Sequence, residues 1–299
     1  IKQSSNSFLG TCRALHPWLA LSGTNYLGVG THLKYYINQG GAYNDITPIR
    51  VTTSAGDLTF SAKATTLNET LSAIDTTITV ASASGFPSFG IIKIGSEHIT
   101  FAGLNGNNLI GCVRGVDNTV ATTHSSGAAV TMSTIIVTDT DHGALVNDFV
   151  TISGAASLGG LITANVLNQE YQITGIINDD SYQIDVREVA DIQSITTTTG
   201  LNPIYVFSNS SDTSNGGGSV VGTYQINTGL DTTIAGNGWS AGTYGRGTWG
   251  SAANLSASGQ TLRIWSHDNF GEDLIINVRD GDIFYWDNST SSGNPFSRA

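Results

Sequence analysis

The chain has 299 residues, 36 of them glycine and only five proline, and its apolar residues fall in short runs among Thr and Ser. Twelve Lys and Arg stand against 23 Asp and Glu, a net charge of −11, which argues against a protein that grips nucleic acid by neutralising phosphates. No apolar stretch approaches the ~20 residues of a membrane-spanning helix, and no segment keeps a helical period, so the expectation is an all-β chain of two or more domains.

Taken in chain order, residues 1–65 read as a propeller-like blade, with strands at Trp18–Leu21, Tyr26–Val29, Leu33–Ile37 and Tyr43–Ile49. Ser22-Gly23 and Gln39-Gly40-Gly41 supply hairpin turns, and Pro48 marks a strand exit. Residues 66–133 read as a small inserted β module with strands at 77–80, 90–94, 97–101 and 109–113, turning at Gly95-Ser96. Residues 134–190 read as a second inserted module with strands at 134–138, 149–153, 170–177 and 182–186, turning at Asn178-Asp179-Asp180. Its eight acids (Asp139, Asp141, Asp148, Glu170, Asp179, Asp180, Asp185 and Glu188) against the lone Arg187 give it −7 of the total charge, so its surface is expected to be acidic.

Residues 191–260 are rich in Gly, Ser and Thr and read as an arm or linker. Trp239, Tyr244 and Trp249 within it carry too much apolar area to stay in water, and are expected to dock on the chain or on a neighbour. Residues 261–299 read as another blade: Leu262–Trp265, Leu274–Val278 and Ile283–Trp286 are three short strands, with Asp280-Gly281 as a turn needing positive φ. The chain opens on Ile1 and stops just after a strand, so it is expected to be a piece of a longer protein whose blades continue beyond Ala299.

The strings NYLGVGTHLKYYINQGGAYNDITPIR (25–50), TYQINTGLD (223–231), GWSAGTYGRGTWG (238–250) and WSHDNFGEDLIINVRDGDIFYWD (265–287) resemble the propeller-containing tail nozzle or tail tubular proteins of short-tailed marine bacteriophages. Residues 78–103 with 110–130, and 137–155 with 168–186, resemble small β inserts that recur in phage tail proteins. The resemblance implies a virion component: a subunit of a ring, six-fold favoured, below a portal-proximal adaptor. Such a ring would line the DNA-ejection channel, let genomic DNA pass without reading its sequence, and offer attachment to tail fibres. A host-surface role, with the two inserts binding glycans, is the alternative.

Several clusters hold residue types that can carry chemistry. His267, Asp268, Glu272 and Asp273 crowd one turn, but the spacing fits no EF-hand loop, and turn hydrogen bonding explains them. Glu272 and Asp273 are also the candidate channel-facing carboxylates, where they would repel phosphate and keep DNA mobile. Asp139, Asp141 and His142 read as a turn leaving a strand. A glycosidase needs two facing carboxylates, and Glu97, Glu170 and Glu272 fall in three different segments. No G-x-S-x-G opens a helix, and Cys12 and Cys112 read as two buried thiols. No catalytic residue, metal site or cofactor is therefore assigned, and the chain reads as non-enzymatic.

Overall fold

The computed structural model describes residues 7–188, 204–231, 262–279 and 281–288. Regular structure there is almost all β, in antiparallel sheets none of which closes, with one four-residue helix at Ala164–Leu167 capped by Thr163. Two compact units divide it: Ile1–Ile49 with Thr228–Ala299, and Arg50–Asn227. The arm aromatics Trp239, Tyr244 and Trp249 lie outside the described residues, as do 189–203.

The first unit is made of two meanders. Cys12–Leu19, Asn25–Thr31, Tyr35–Gln39 and Ala42–Asp45 pair in sequence order, as do Trp265–Phe270, Asp273–Val278 and Ile283–Trp286. Gly40 and Gly41 both take positive φ, 61° and 97°, as a two-residue loop between twisted strands requires. Among the described residues of the last meander the left-handed one is Gly271, at φ 68° between the first two strands, whereas Gly281 stays outside that region. The expectation of a positive φ at Gly281 is corrected on this point: the strands end at Val278 and begin again at Ile283, so Gly281 is not in a two-residue hairpin loop, and Asp280 lies outside the described residues.

One face of the N-terminal meander meets the C-terminal meander across an aromatic core. Trp18 stacks on Tyr26 at 5.2 Å between centroids, and Trp286 meets both edge-on. Trp265 meets Tyr35 edge-on and donates from Nε1 to the Thr31 carbonyl at 2.7 Å. Gly28 and Gly30 are what let these rings in, since a Cβ there would lie 2.5 Å from the Tyr35 hydroxyl and 2.4 Å from the Trp265 ring. Residues more than 200 positions apart thus share one hydrophobic core, the burial of each ring stabilising by roughly 1.5–3 kcal/mol.

The second unit holds two cores. Leu67, Ile78, Ile92, Ile99, Leu109 and Met132 belong to one, under a five-stranded sheet ordered 113–116, 97–101, 90–94, 129–132, 64–66 and a three-stranded sheet of 103–105, 108–110 and 78–79. Leu58, Ile135, Ile152, Tyr171, Tyr182 and Tyr224 belong to the other, inside a seven-stranded sheet ordered 49–52, 221–225, 149–153, 170–178, 181–185, 134–138, 59–61. Residues 49–61 and 204–227 therefore build this sheet, which revises their place in a first blade and in an arm. Val221–Gln225 carries inward Gly222 and Tyr224, a pattern too short to stand out from its Gly-rich surroundings. Pro48 sits where the chain leaves the N-terminal meander, in keeping with a strand exit.

Two further expectations are corrected. Asp139 and Asp148 turn inward, at 3% and 1% exposure, because backbone and side-chain donors meet them there, so the surface of 134–190 is less acidic than its count. Cys112 is buried, and burial pushes its thiol up to about 11, but Cys12 is exposed because it opens an edge strand.

Candidate assembly surface

Glu272 and Asp273 sit at the hairpin joining Trp265–Phe270 to Asp273–Val278, and both are engaged within the first unit. Glu272 accepts from the Leu21 amide at 2.6 Å and from Asn288 Nδ2 at 3.3 Å, while its carbonyl accepts from Trp18 Nε1. Asp273 accepts from the Asn288 amide at 2.9 Å and from the Tyr285 hydroxyl, a bond that pushes that phenol up to about 12. Glu272 clasps the two meanders together, while Asp273 ties the C-terminal one to itself. Asp268 accepts from the Asn269 amide, the turn role its position implied.

His267 does more than shape a turn. Its Nδ1 is 2.8 Å from the Tyr35 hydroxyl, its other face meets the His16 ring at 4.8 Å, and it bonds the Leu15 backbone. Burial, with the His16 ring beside it, lowers its proton affinity, against the Leu15 bond and Asp268, which pull the other way.

The outward faces expose large apolar side chains among polar ones. On the C-terminal sheet Ile275 lies opposite Tyr285, with Ile283 two residues along and Phe270 diagonal to them. Phe270 is 68% and Ile283 73% exposed. The edge strand Cys12–Leu19 turns Leu15 and Leu19 outward in alternation, and Leu21 follows, nearly bare to solvent. Large apolar side chains grouped this way mark a surface meant for a partner. Sequence pattern alone assigns them to strands without saying which of two faces stays uncovered.

In the second unit Asp139, one of the acids flagged by sequence, is spent internally. Asp139 accepts from Tyr224 at 2.5 Å, Tyr224 meets Tyr182 hydroxyl to hydroxyl at 2.9 Å, and Arg50 lies over the Tyr224 ring and donates to the His142 carbonyl. Burial raises the Asp139 carboxyl despite the Tyr224 bond. Of the three glutamates, Glu97 serves Arg114 and His124 and Glu170 bonds Gln225 in this unit, while Glu272 serves the clasp of the first unit. Among the described residues no group of three or more His, Cys, Asp or Glu is placed to hold a metal ion, and no helix is long and apolar enough to cross a membrane.

Compared with protein-family models, curated proteins and solved structures, the chain matches none.

Proposed function

We propose that the chain is a structural subunit of a phage tail nozzle or tail tube, acting by assembly into a ring through which DNA is ejected. The observation that carries this reading is the exposure of large apolar side chains at two places on the first unit, on the face of the C-terminal sheet and along the edge strand Cys12–Leu19 with Leu21. A closed ring needs two different surfaces that meet head to tail. Phe270, Ile283 and Tyr285 against Leu15, Leu19 and Leu21 give roughly 1.5–3 kcal/mol for each side chain buried. That total is of the order of the ~4–15 kcal/mol that association costs, so assembly through these side chains alone is expected to be weak and concentration-dependent. Glu272 and Asp273 are the lining carboxylates in this reading, and a portal-proximal adaptor and tail fibres are the neighbours.

Light scattering across a concentration series, with negative-stain images, tests it. Hollow rings that fall to monomers in a double variant Phe270→Asp and Ile283→Asp are the expected result. A wild-type chain that stays monomeric at every concentration, with and without an adaptor, rules the reading out. The glycan alternative draws little support from the inserts' aromatic side chains, since Phe86, Phe101, Phe149, Tyr171 and Tyr182 are buried and Phe89 alone is exposed.

A further inference from the structure

The sequence carries three Asn-Gly pairs, at 105, 215 and 237, the last outside the described residues. Such a pair is prone to modify itself, because glycine leaves its own nitrogen unshielded and its backbone free to turn toward the preceding side-chain amide. The two described pairs, both in the second unit, sit in opposite surroundings.

Asn105 and Gly106 are at the tip of the hairpin joining Gly103–Asn105 to Asn108–Ile110, with Asn105 opposite Asn108 and Gly106-Asn107 as the two-residue loop. Gly106 takes φ 60° and Asn107 stays at negative φ, the pattern of a hairpin loop with glycine first. Asn105 and Gly106 are both exposed, a Cβ on Gly106 would meet nothing within 4 Å, and the Asn105 side chain has no hydrogen-bond partner among the described residues. The pair closes a strand of only three residues, so opening one ladder position frees the Asn105 side chain to reach the next nitrogen. The neighbouring asparagines differ. Asn107 Oδ1 accepts from the Ala83 amide at 3.1 Å and its Nδ2 donates to the Ala81 carbonyl at 3.4 Å, while Asn108 precedes Leu109, whose side chain is buried.

Asn215 is held on every side. Its Oδ1 accepts from the Gly217 amide at 3.2 Å, and its carbonyl, in the same peptide as the Gly216 nitrogen, accepts from the Phe60 amide at 3.1 Å. Gly216 is buried, its carbonyl accepts from the Ala156 amide at 2.7 Å, and its Cβ position lies 2.5 Å from Phe60 Cδ2. The loop before it is pinned by Asp212, which is 2% exposed and accepts from four backbone amides: Gly160 at 2.9 Å, Leu161 at 3.1 Å, Ile162 at 3.0 Å and Asn209 at 2.8 Å. The Ser214 amide adds a bond to the Leu158 carbonyl. Bringing the Gly216 nitrogen onto the Asn215 side chain would break several of these bonds at once.

We propose that Asn105 is a self-modification site, converted in the folded chain to aspartate and isoaspartate, and that the fold protects Asn215. The Gly106 nitrogen bonds to Asn105 Cγ and gives up its proton, the Cγ–Nδ2 bond breaks, and the Nδ2 group leaves with that proton as ammonia. Water then opens the five-membered imide at one carbonyl or the other. Either product carries one more negative charge, and isoaspartate also adds a methylene to the main chain at the hairpin tip, against the Asn105–Asn108 register. Nothing in this depends on ring assembly. The full chain, aged in mildly alkaline buffer both folded and in concentrated urea, is followed by peptide mass spectrometry with chromatographic separation of the two isomers. In the folded chain Asn105 is expected to react about tenfold or more faster than Asn215, whose attack must wait for local opening; in urea the two rates should converge. Asn105→Gln is expected to remove the new species from its peptide, with unchanged circular dichroism. Equal rates at Asn105 and Asn215 in the folded chain overturn the proposal, as does an Asn105 that reacts in urea but not in the folded chain. A mass gain that persists in the same peptide of Asn105→Gln also overturns it, by placing the reaction on Asn107 or Asn108.

Discussion

Glu97 has no exposed surface, yet its carboxylate is ionised. Burial alone would raise it, but hydrogen bonds from Arg114 and His124, the Thr122 amide and the Arg114 charge outweigh that and hold it at about 2, below its ordinary 4.5. Arg114 grips it with both Nε and Nη2, at 2.6 and 2.8 Å, and reaches the Ser72 and Thr122 carbonyls as well. Removing one member of so buried a pair leaves the other charge unmet, at a cost of about 3–5 kcal/mol. Glu97→Gln is therefore expected to lower unfolding stability by about 3 kcal/mol at pH 7, measured by urea denaturation. Because the folded-state value is depressed, the contribution is complete above about pH 4.5 and lost as pH falls toward 2. The wild type should weaken across that window and Glu97→Gln should weaken less steeply; parallel acid profiles would exclude this role. Nothing in the sequence ties Glu97 to Arg114 and His124, 17 and 27 positions away, because a side-chain network leaves no periodic trace. Asp212 was hidden for the same reason, inside a stretch that composition marks only as polar.

The hairpins were the legible elements. Glu97–Phe101 against Gly90–Ile94, and Glu170–Asn178 against Ser181–Asp185, carry strand alternation on both sides of a short turn, so local residues specify both partners. Ile49–Thr52, Thr59–Ser61 and Val221–Gln225 were not legible as members of one sheet, since strands of three to five residues have little periodicity and their neighbours lie far away in sequence. The seam between Cys12–Leu19 and Trp265–Phe270 was equally hidden, and it sets a pH dependence. His267 accepts from Tyr35 through Nδ1 and packs on His16, so a proton there meets a phenol hydrogen and, once His16 is charged, a like charge. Its lowered affinity, from burial first and His16 second, means that the neutral ring stabilises the fold above about pH 6.5, and that this is lost progressively as pH falls below it. Tyr35, His16 and Asp268 are the titratable groups around it, and Asp268 opposes the effect without cancelling it. Tryptophan fluorescence during thermal melts should show the first unit losing stability between pH 7 and 5, and His267→Gln should flatten that loss. A melt that is flat with pH in the wild type would contradict the argument.

At the scale of the whole molecule, the chain places a unit with complete cores between two segments that need each other. Every residue of the two cores of Arg50–Asn227 comes from within that span, and its sheets pair strands of that span, apart from Ile49 at one edge. The first unit, by contrast, draws Trp18, Tyr26 and Tyr35 from one segment and Trp265 and Trp286 from the other, and neither meander can cover its aromatic face alone. A three-stranded sheet with one open apolar face is marginal in water. Residues 49–227 expressed alone are therefore expected to fold, with a cooperative urea transition and dispersed amide resonances. Residues 262–299 expressed alone are expected to remain unfolded or to aggregate. Mixing the 262–299 segment with a separately expressed 1–49 segment should restore quenched, blue-shifted tryptophan emission, because the clasp of Glu272 on Leu21 and the stacking of Trp18, Tyr26 and Trp286 form between them. If 49–227 unfolds on its own while 262–299 folds, the dependence runs the other way, and the long-range aromatic core is not what holds the first unit together.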